Sequence, residues 1–321
     1  MLFKKVALPL LTLMSLNITS VSANYATHPD VDSFVKTMES EGFSQTETLA
    51  ILSQANRRDD ILDLISRPAE GVMTWERYRK IFIEDKRVDQ AVEFYAQHKD
   101  ALSEAELKYG VPKEIILSIM AVETRMGRVT GKHRVLDALS TLAFDYPKRS
   151  KYFTKELKNY LVLTRQESID PTTLKGSYAG ASSIAQFMPS SFLAYAVDFN
   201  NDGKRDIWNT PKDAIGSIAN YFKSHGWKKG EPVLADFTYT GDNLESLVSN
   251  SLKPKLTLGE FRHQGLNAKV SLDDSSMATL MTMDDKYQLG LHNFYVISRY
   301  NHSKLYSTAV YELSQLIKER I

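Results

Sequence analysis

Apolar residues recur at helical spacing through most of the first half of the chain, and this pattern limits the possible folds more than any other feature. The spacing holds from Phe34 to about Glu167. In one segment the apolar positions are i, i+3, i+4 and i+7: Val88, Ala91, Val92 and Tyr95. Such a period is typical of helices with one buried face. The first half of the chain is therefore predicted to be mainly α-helical.

The second half of the chain contains both helical and strand-like segments. Helices are predicted at 211–225 and 303–318, the former with Pro211 in its first turn and Gly226 as its stop signal. From Glu231 to about Tyr300, short segments such as 233–239 and 293–297 favour strands separated by turn residues. The fold class is thus predicted to be mainly α (α+β), a helical protein with a small β-rich insert.

Composition narrows the class of protein. The 321 residues include 40 Lys+Arg and 39 Asp+Glu, 43% are hydrophobic, and none is cysteine. A chain of this length and apolar content can bury a sizeable core. The lack of cysteine excludes disulfides, thiolate metal sites and a cysteine nucleophile. Near-zero net charge without a long basic run excludes nucleic acid as an expected partner.

The N-terminus has the three parts of a secretory signal peptide. Lys4 and Lys5 precede an apolar stretch from Val6 to about Ile18, and small residues end it at Ala23. Cleavage after Ala23 is expected, which would leave a secreted protein free in solution. The stretch is shorter than the roughly 20 residues that span a membrane, and no membrane anchor is expected. The alternative is a helix of the folded protein, but the stretch lacks a polar face.

One carboxylate lies on an apolar helical stripe. In the segment that begins near Pro112, the positions Ile116, Met120 and Glu123 fall on one face. A carboxyl group removed from water has a raised pKa, as a general acid near neutral pH requires. The alternative is a structural glutamate paired with Arg125 or Arg128, and periodicity alone does not decide between them.

A second motif has the spacing of a calcium-binding loop. The sequence from Asp198 to Asp206 fits D-x-[DN]-x-[DN]-G, with Gly203 at the sharp turn. Oxygen ligands are expected at loop positions 1, 3, 5 and 7: Asp198, Asn200, Asp202 and the carbonyl of Lys204.

The loop departs from the usual pattern at position 12. That position holds Asn209, where a bidentate glutamate is usual. The closing ligand is therefore expected from Asp213, while Asp206 would act through water or add charge. One structural Ca²⁺ and no organic cofactor are predicted. The alternative is a surface turn rich in Asp, Asn and Gly.

Several motifs, in consistent order from about residue 75 to the C-terminus, together resemble the lytic murein transglycosylase B family. They are YGVPKEII at 109–116, VETR at 122–125, GSYAGA at 176–181, QFMPSS at 186–191, YAVD at 195–198, NYFKSHGW at 220–227 and RYN at 299–301. Several motifs of four or more residues in one order are far more specific than any one of them.

The resemblance implies a lysozyme-like helical catalytic core at 109–230 that contains the calcium loop. A helical arm at 24–108, a β-rich domain at 231–291 and a segment at 292–321 that returns to the core would complete the chain. The implied substrate is the β-1,4 bond between N-acetylmuramic acid and N-acetylglucosamine in peptidoglycan. The product is a 1,6-anhydro sugar. The implied setting is a periplasmic monomer whose partners are glycan strands and, in some contexts, other cell-wall enzymes.

The resemblance also assigns roles to residues. Glu123 would act as acid and then as base. Ser177 would hydrogen-bond the carboxylate or the N-acetyl group, and Gln186 would orient the N-acetyl group. Further positions would line the sugar cleft or contact the lactyl or peptide part of the substrate: Tyr221, Tyr300, Asn301, Tyr306, Arg149 and Tyr78.

The chemistry of the residues agrees with a single catalytic carboxylate. Most glycosidases use two, yet no second acid lies in a motif beside Glu123. One carboxylate suffices if the substrate's N-acetyl group assists at C1 and its C6 hydroxyl replaces water. Two alternatives remain: a muramidase-type hydrolase on the same core, and a peptidoglycan-binding protein without turnover. A calcium sensor is disfavoured, since sensors usually pair their loops.

Four positions depart from the family pattern. Ser182 and Ser183 stand where Met-Gly is usual, so a side chain is expected at a position that favours positive φ. Met126 replaces a frequent aromatic residue, which would remove a stacking surface of the cleft. Lys148 replaces a frequent arginine and loses a bidentate fork for carboxylates.

Overall fold

The computed structural model describes residues 24–67 and 73–321. The expected signal peptide, residues 1–23, lies outside the described residues. In the described ranges the chain forms 13 α-helices and eight short strands, so the prediction of a mainly α fold is confirmed. None of the helices in these ranges is long and apolar enough to cross a membrane.

Five helices precede the central helix that carries Glu123. They are α1 (Val31–Ser40), α2 (Gln45–Leu52), α3 (Asp59–Ser66), α4 (Trp75–Phe82) and α5 (Asp85–Tyr109). The Ser44 hydroxyl accepts a hydrogen bond from the Glu47 amide and caps α2, as the sequence indicates. The α5 helix ends at Gly110, which takes a left-handed conformation with φ of 73°.

Five more helices form the centre of the molecule. They are α6 (Lys113–Thr124), α7 (Val135–Asp145), α8 (Ser150–Gln166), α9 (Pro189–Tyr195) and α10 (Pro211–Ser224). Two short strands, β1 (His133–Arg134) and β2 (Lys175–Gly176), pair in antiparallel fashion. Pro112 is the N-cap of α6 rather than its first residue, whereas Pro211 does open α10.

The β-rich insert contains six strands and one helix. They are β3 (Leu234–Ala235), β4 (Phe237–Tyr239), β5 (Leu256–Thr257), α11 (Leu258–His263), β6 (Leu266–Ala268), β7 (Met277–Met283) and β8 (Lys286–Gly290). Four of the strands form an antiparallel sheet in the order β3-β8-β7-β5, and β4 pairs with β6. Leu280 and Leu289 face each other across β7 and β8.

The last two helices are α12 (His292–Ser298) and α13 (Lys304–Lys318), with Ser303 as the N-cap of α13. The prediction of a strand at 293–297 is wrong. Phe294, Val296 and Ile297 are fully buried, so this helix has no polar face to reveal its period. The Asn293 side chain fixes it by bonding the amide and carbonyl of Lys228 and the carbonyl of Glu231.

The described residues pack into two hydrophobic cores. The larger core joins α1–α10 with α12 and α13. The insert has a small core of its own, made by Leu247, Leu258, Phe261, Leu266, Ala278, Leu280, Leu289 and Leu291. Helix α13 therefore returns from the insert to the main core, where it packs against α6.

A turn of the insert holds the N-terminus of α4. Asp284, between β7 and β8, accepts hydrogen bonds from the amides of Trp75 (2.8 Å) and Glu76 (3.0 Å). The same helix is bound to α13 by Arg79, whose Nε donates to Glu312 at 2.6 Å. The insert, α4 and α13 are therefore fastened to one another.

Replacing Asp284 by glycine should lower the free energy of unfolding by about 1 kcal/mol, the usual worth of a helix cap. Glycine suits the left-handed backbone of Asp284, whose φ is 52°, so the loss reports the two hydrogen bonds. Urea unfolding measures it. Asp285→Ala in the same turn is the control, and an equal loss there would contradict the capping role.

Candidate active site

Glu123 lies in the last turn of α6 and is half-buried. The residues before it on the same helix, Ile115, Ile116, Ile119 and Met120, are buried. Helix α6 is buried on nearly all sides from Glu114 to Val122, rather than along a single apolar stripe, and Glu123 is a half-buried position near its end.

The Glu123 carboxylate is bonded by a phenol from the other end of the chain. Tyr306 Oη donates to Glu123 Oε1 at 2.6 Å, across 183 positions of sequence. Burial raises the pKa of Tyr306 well above its usual value, and the charge of Glu123 raises it further. The phenol therefore stays protonated and remains a donor.

The alternative partners of Glu123 pair elsewhere. Arg125 forms an ion pair with Glu84 at 2.8 Å, and Arg128 forms one with Glu93 at 2.7 Å. Glu84 is the N-cap of α5, and Glu93 lies within that helix. Both arginines are therefore paired with acids of that segment, and the catalytic role of Glu123 stays a prediction.

The backbone is strained directly after Glu123. Arg125, Met126 and Gly127 have φ of 51°, 60° and 80°, so three consecutive residues are left-handed. Such conformations persist in non-glycine residues only when their surroundings enforce them. One tie is Thr124, whose hydroxyl donates to the Ile184 carbonyl (2.9 Å) and accepts from the Gly127 amide (2.9 Å). Met126 is buried, so it offers no exposed stacking surface.

The loop at 176–187 approaches Glu123 through this Thr124 contact. Ser177 is half-buried, and its hydroxyl accepts from the Ala181 amide at 3.1 Å. Gln186 has a left-handed φ of 50°. Its side-chain amide donates to the carbonyls of Thr130 (3.0 Å) and Ser183 (2.9 Å). In this structure both side chains hold the shape of the loop.

The two serines that depart from the family pattern have distinct roles in this loop. Ser183 has φ of 78°, which confirms the expected side chain at a left-handed position, and its hydroxyl accepts from the Ala185 amide. Ser182 accepts a hydrogen bond from Trp208 Nε1 at 3.1 Å. Since the Ile184 amide also bonds the Ile207 carbonyl, the loop is joined to the end of the calcium motif.

Two further tyrosines form a wall beside Glu123. Tyr300 donates to the Ala185 carbonyl at 2.6 Å and Tyr221 donates to the Arg299 carbonyl at 2.5 Å, with their rings 4.8 Å apart. Burial raises the pKa of both phenols. Tyr221 also stacks on His225, with ring centroids 4.0 Å apart. Burial lowers the pKa of His225, so its ring is neutral at pH 7.

The other residues to which the resemblance assigns a role lie in different surroundings. Tyr78 is buried in α4, 4.7 Å from the Phe82 ring and close enough to Tyr306 to influence its pKa. Asn301 is exposed directly after Tyr300. Arg149 is also exposed, and its guanidinium lies over the rings of Tyr152 (4.5 Å) and Phe153 (5.2 Å). The roles of Thr124, Trp208 and His225 could not be predicted from sequence patterns, because they depend on tertiary neighbours.

The side chains of the calcium motif converge inside their own loop. Asp198 accepts from the amides of Asp202 (3.1 Å) and Gly203 (2.8 Å). The side-chain oxygen of Asn200, Oδ1, accepts a hydrogen bond from the Asp202 amide. The Asp202 carboxylate accepts one from the Lys204 amide. In the described residues no three His, Asp or Glu side chains cluster as metal ligands. A cation here would thus need amide and backbone oxygens as well, and hard cations accept such donors.

Asp213 anchors this loop to α10. It is fully buried, and its two oxygens accept from the amides of Phe199 (2.8 Å), Asn200 (3.1 Å) and Asp206 (2.9 Å). Burial raises its pKa, and the three amides oppose that shift. This geometry gives Asp213 a role in ordering the loop, while its role as a ligand stays a prediction.

Removing the Ser182 hydroxyl should lower the free energy of unfolding by about 1 kcal/mol, since Trp208 would keep an unmet donor. The test is a double-mutant cycle with Ser182→Ala, Trp208→Phe and the double variant. A coupling energy of about 1 kcal/mol is expected for a direct hydrogen bond. Additive losses would show that the two side chains do not interact in solution.

Comparison with known proteins gives a consistent family. Residues 26–315 match the family model described as the transglycosylase SLT domain. A curated relative, membrane-bound lytic murein transglycosylase B of Escherichia coli (strain K12), is 42% identical over 94% of this chain and 86% of its own length.

Solved structures share the whole fold. Soluble lytic transglycosylase SltB1 from Pseudomonas aeruginosa is 48% identical, with a TM-score of 0.86 over 91% of this chain and 99% of its own. The lytic transglycosylase Slt35 of Escherichia coli, solved in complex with calcium, is 42% identical, with a TM-score of 0.83 over 95% of this chain and 97% of its own.

A more distant relative carries a ligand. SltB3 from Pseudomonas aeruginosa, solved in complex with NAG-anhNAM-pentapeptide, is 28% identical, with a TM-score of 0.79 over 89% of this chain and 78% of its own. From the family model and the 42% identity over most of its length, the chain belongs to the transglycosylase SLT domain family.

Proposed function

We propose that this protein is a lytic transglycosylase that cleaves the β-1,4 bond between N-acetylmuramic acid and N-acetylglucosamine in peptidoglycan. The observation that carries the proposal is the half-buried Glu123, bonded by a protonated Tyr306 phenol in a fold shared with lytic transglycosylases. The relative solved with NAG-anhNAM-pentapeptide supports a 1,6-anhydro product.

Glu123 acts first as the acid. It protonates the glycosidic oxygen while the bond from that oxygen to C1 of the muramoyl unit breaks. The Tyr306 hydrogen bond favours the resulting carboxylate, because a donor stabilises the charged form more than the neutral one. The substrate's N-acetyl group assists at C1, which removes the need for a second protein carboxylate.

Glu123 then acts as the base. The carboxylate takes the proton of the C6 hydroxyl, whose oxygen bonds to C1 and closes the 1,6-anhydro ring. The acid is thereby restored, and no water is consumed. The buried phenols of Tyr221 and Tyr300 stay neutral, so neither competes with Glu123 as a base.

Other residues would hold the substrate. The 176–187 loop carries Ser177 and Gln186 toward the N-acetyl group, in a shape fixed by their bonds to Ala181, Thr130 and Ser183. Exposed Asn301 would contact the sugar chain. Exposed Arg149 is free to meet the lactyl carboxylate or stem peptide. Tyr78 would act through Tyr306, since it is buried.

Calcium would be held by Asp198, Asn200, Asp202 and the Lys204 carbonyl, with Asp213 as the closing ligand that also orders the loop. When bound, the ion neutralises the loop's carboxylates and stabilises its turn. The related Slt35 structure with calcium supports this assignment. We also propose a periplasmic location and glycan strands as the binding partner, in keeping with the signal-peptide pattern of residues 1–23.

Digestion of purified sacculi tests the function. The mature protein should release muropeptides that end in 1,6-anhydro-N-acetylmuramic acid, and Glu123→Gln should release none, because an amide cannot donate the proton. Glu93→Gln, an exposed position that pairs with Arg128, is the matched control and should retain activity. Mass spectrometry of the products gives the readout.

Two outcomes would contradict the proposal. Products with reducing ends, heavier by one water, would indicate a muramidase-type hydrolase. Binding to sacculi without release by the unaltered protein would indicate a peptidoglycan-binding protein that has lost turnover.

Removal of calcium should destabilise the protein without altering the chemistry. Chelation should lower the melting temperature of the unaltered protein, because a ligand bound only to the folded state stabilises it. Asp198→Asn should melt at a lower temperature and respond little to chelation. Melting that is unchanged by chelation in the unaltered protein would rule out a structural ion.

A further inference from the structure

We infer that Arg87, a residue of the arm, is a positioning residue for Glu123; the inference rests on the proposed function. Arg87 lies in the first turn of α5 and is only 4% exposed. Burying a guanidinium costs several kcal/mol unless its contacts offset the lost solvation. One contact is with the last turn of α6, and the others are with the end of α4 and with Glu84, between α4 and α5.

The guanidinium binds the last turn of the helix that carries Glu123. Arg87 Nη1 donates to the Ala121 carbonyl at 2.5 Å, and Nη2 donates to the Ile81 carbonyl at 3.2 Å. Its flat group lies 5.3 Å from the centre of the Phe82 ring. A cation at the C-terminal end of a helix also meets the negative end of the helix dipole. Arg87 thus fixes a carbonyl two residues before Glu123.

Glu84 extends this contact to the other side of Glu123. Its carboxylate lies 2.8 Å from Arg125 Nη2 and 3.6 Å from Arg87 Nη2. Arg125 is two residues after Glu123 and begins the left-handed turn. Two arginines and one glutamate therefore hold the backbone on both sides of the acid.

The backbone at this end of α6 is strained, so it depends on these contacts to keep its conformation. Arg125 and Met126, the two non-glycine residues of this left-handed stretch, do not keep their conformation without outside support. Thr124 ties them to the 176–187 loop, and Arg87 with Glu84 ties them to the arm. If the second tie is lost, the helix end can relax and move the Glu123 carboxyl away from Tyr306. A displacement near 1 Å can reduce a rate by about 100-fold.

The test compares Arg87→Met with Arg87→Lys and a matched control, Arg128→Met. Arg128 also joins the end of α6 to α5, but through an exposed ion pair with Glu93. Arg87→Met should lower kcat by roughly 10- to 100-fold with KM changed less than about twofold, because the contact aligns the acid without touching substrate. Arg87→Lys should recover part of kcat, and Arg128→Met should behave as the unaltered protein.

Hydrogen exchange gives a readout independent of activity. The amides of Arg125 and Met126 bond the Ala121 and Met120 carbonyls, so they should exchange faster in Arg87→Met while those of α8 do not. Unchanged kcat in folded Arg87→Met, or loss of stability with normal exchange at the helix end, would overturn the inference. If Arg87→Met does not fold, Glu84→Gln and Arg87→Lys decide by the same two measurements.

The proposed function and the positioning role of Arg87 can be disproved independently. If the unaltered protein releases no anhydro product, that function is wrong, and the exchange measurement still decides whether Arg87 fixes the helix end. If the unaltered protein is active and Arg87→Met equals it, only the positioning role is wrong.

Discussion

The hydrogen bond from Tyr306 to Glu123 is the contact on which the arrangement of the rest of the site depends. It joins α13 to α6 across the main core, and it requires a phenol that stays protonated next to a carboxylate. Burial keeps the phenol protonated, because a deprotonated tyrosine would be a poorly solvated negative charge next to the carboxylate of Glu123. The packing of α12 and α13 against the main core, after the chain has passed through the β-rich insert, places that phenol.

The position of Glu123, the proposed acid, is set from three directions. Tyr306 holds its carboxyl group, Thr124 holds the following turn against the 176–187 loop, and Arg87 holds the preceding carbonyl. That loop is in turn joined to the calcium motif through Ser182 and Trp208. The sequence offered no link between the calcium motif and Glu123. The structure supplies one made of short, directional contacts.

Local patterns predicted local structure well. The helical period predicted α5 and α13, because one face of each helix is mostly apolar, and it placed Glu123 near the end of α6, a helix that is buried on nearly all sides. The strand predicted at 293–297 is a helix, since burial on all sides removes the period. The bond to Tyr306, the left-handed turn at Arg125 and the burial of Arg87 could not be predicted from spacing, because each depends on residues far away in sequence. The resemblance named Tyr306 as a cleft residue but not as the donor to Glu123.

The separation of Glu123 and Tyr306 has a consequence for how the protein acquires activity. A polypeptide grows from its N-terminus, so the arm, the central helices and the whole insert precede the residue that completes the acid. Contacts between such distant positions also form late, since closing a long loop costs chain entropy before any contact rewards it. A nascent or partly folded chain therefore has Glu123 without its phenol. With Glu123 as the acid, as proposed, the enzyme would in this way gain its activity only once its fold is complete.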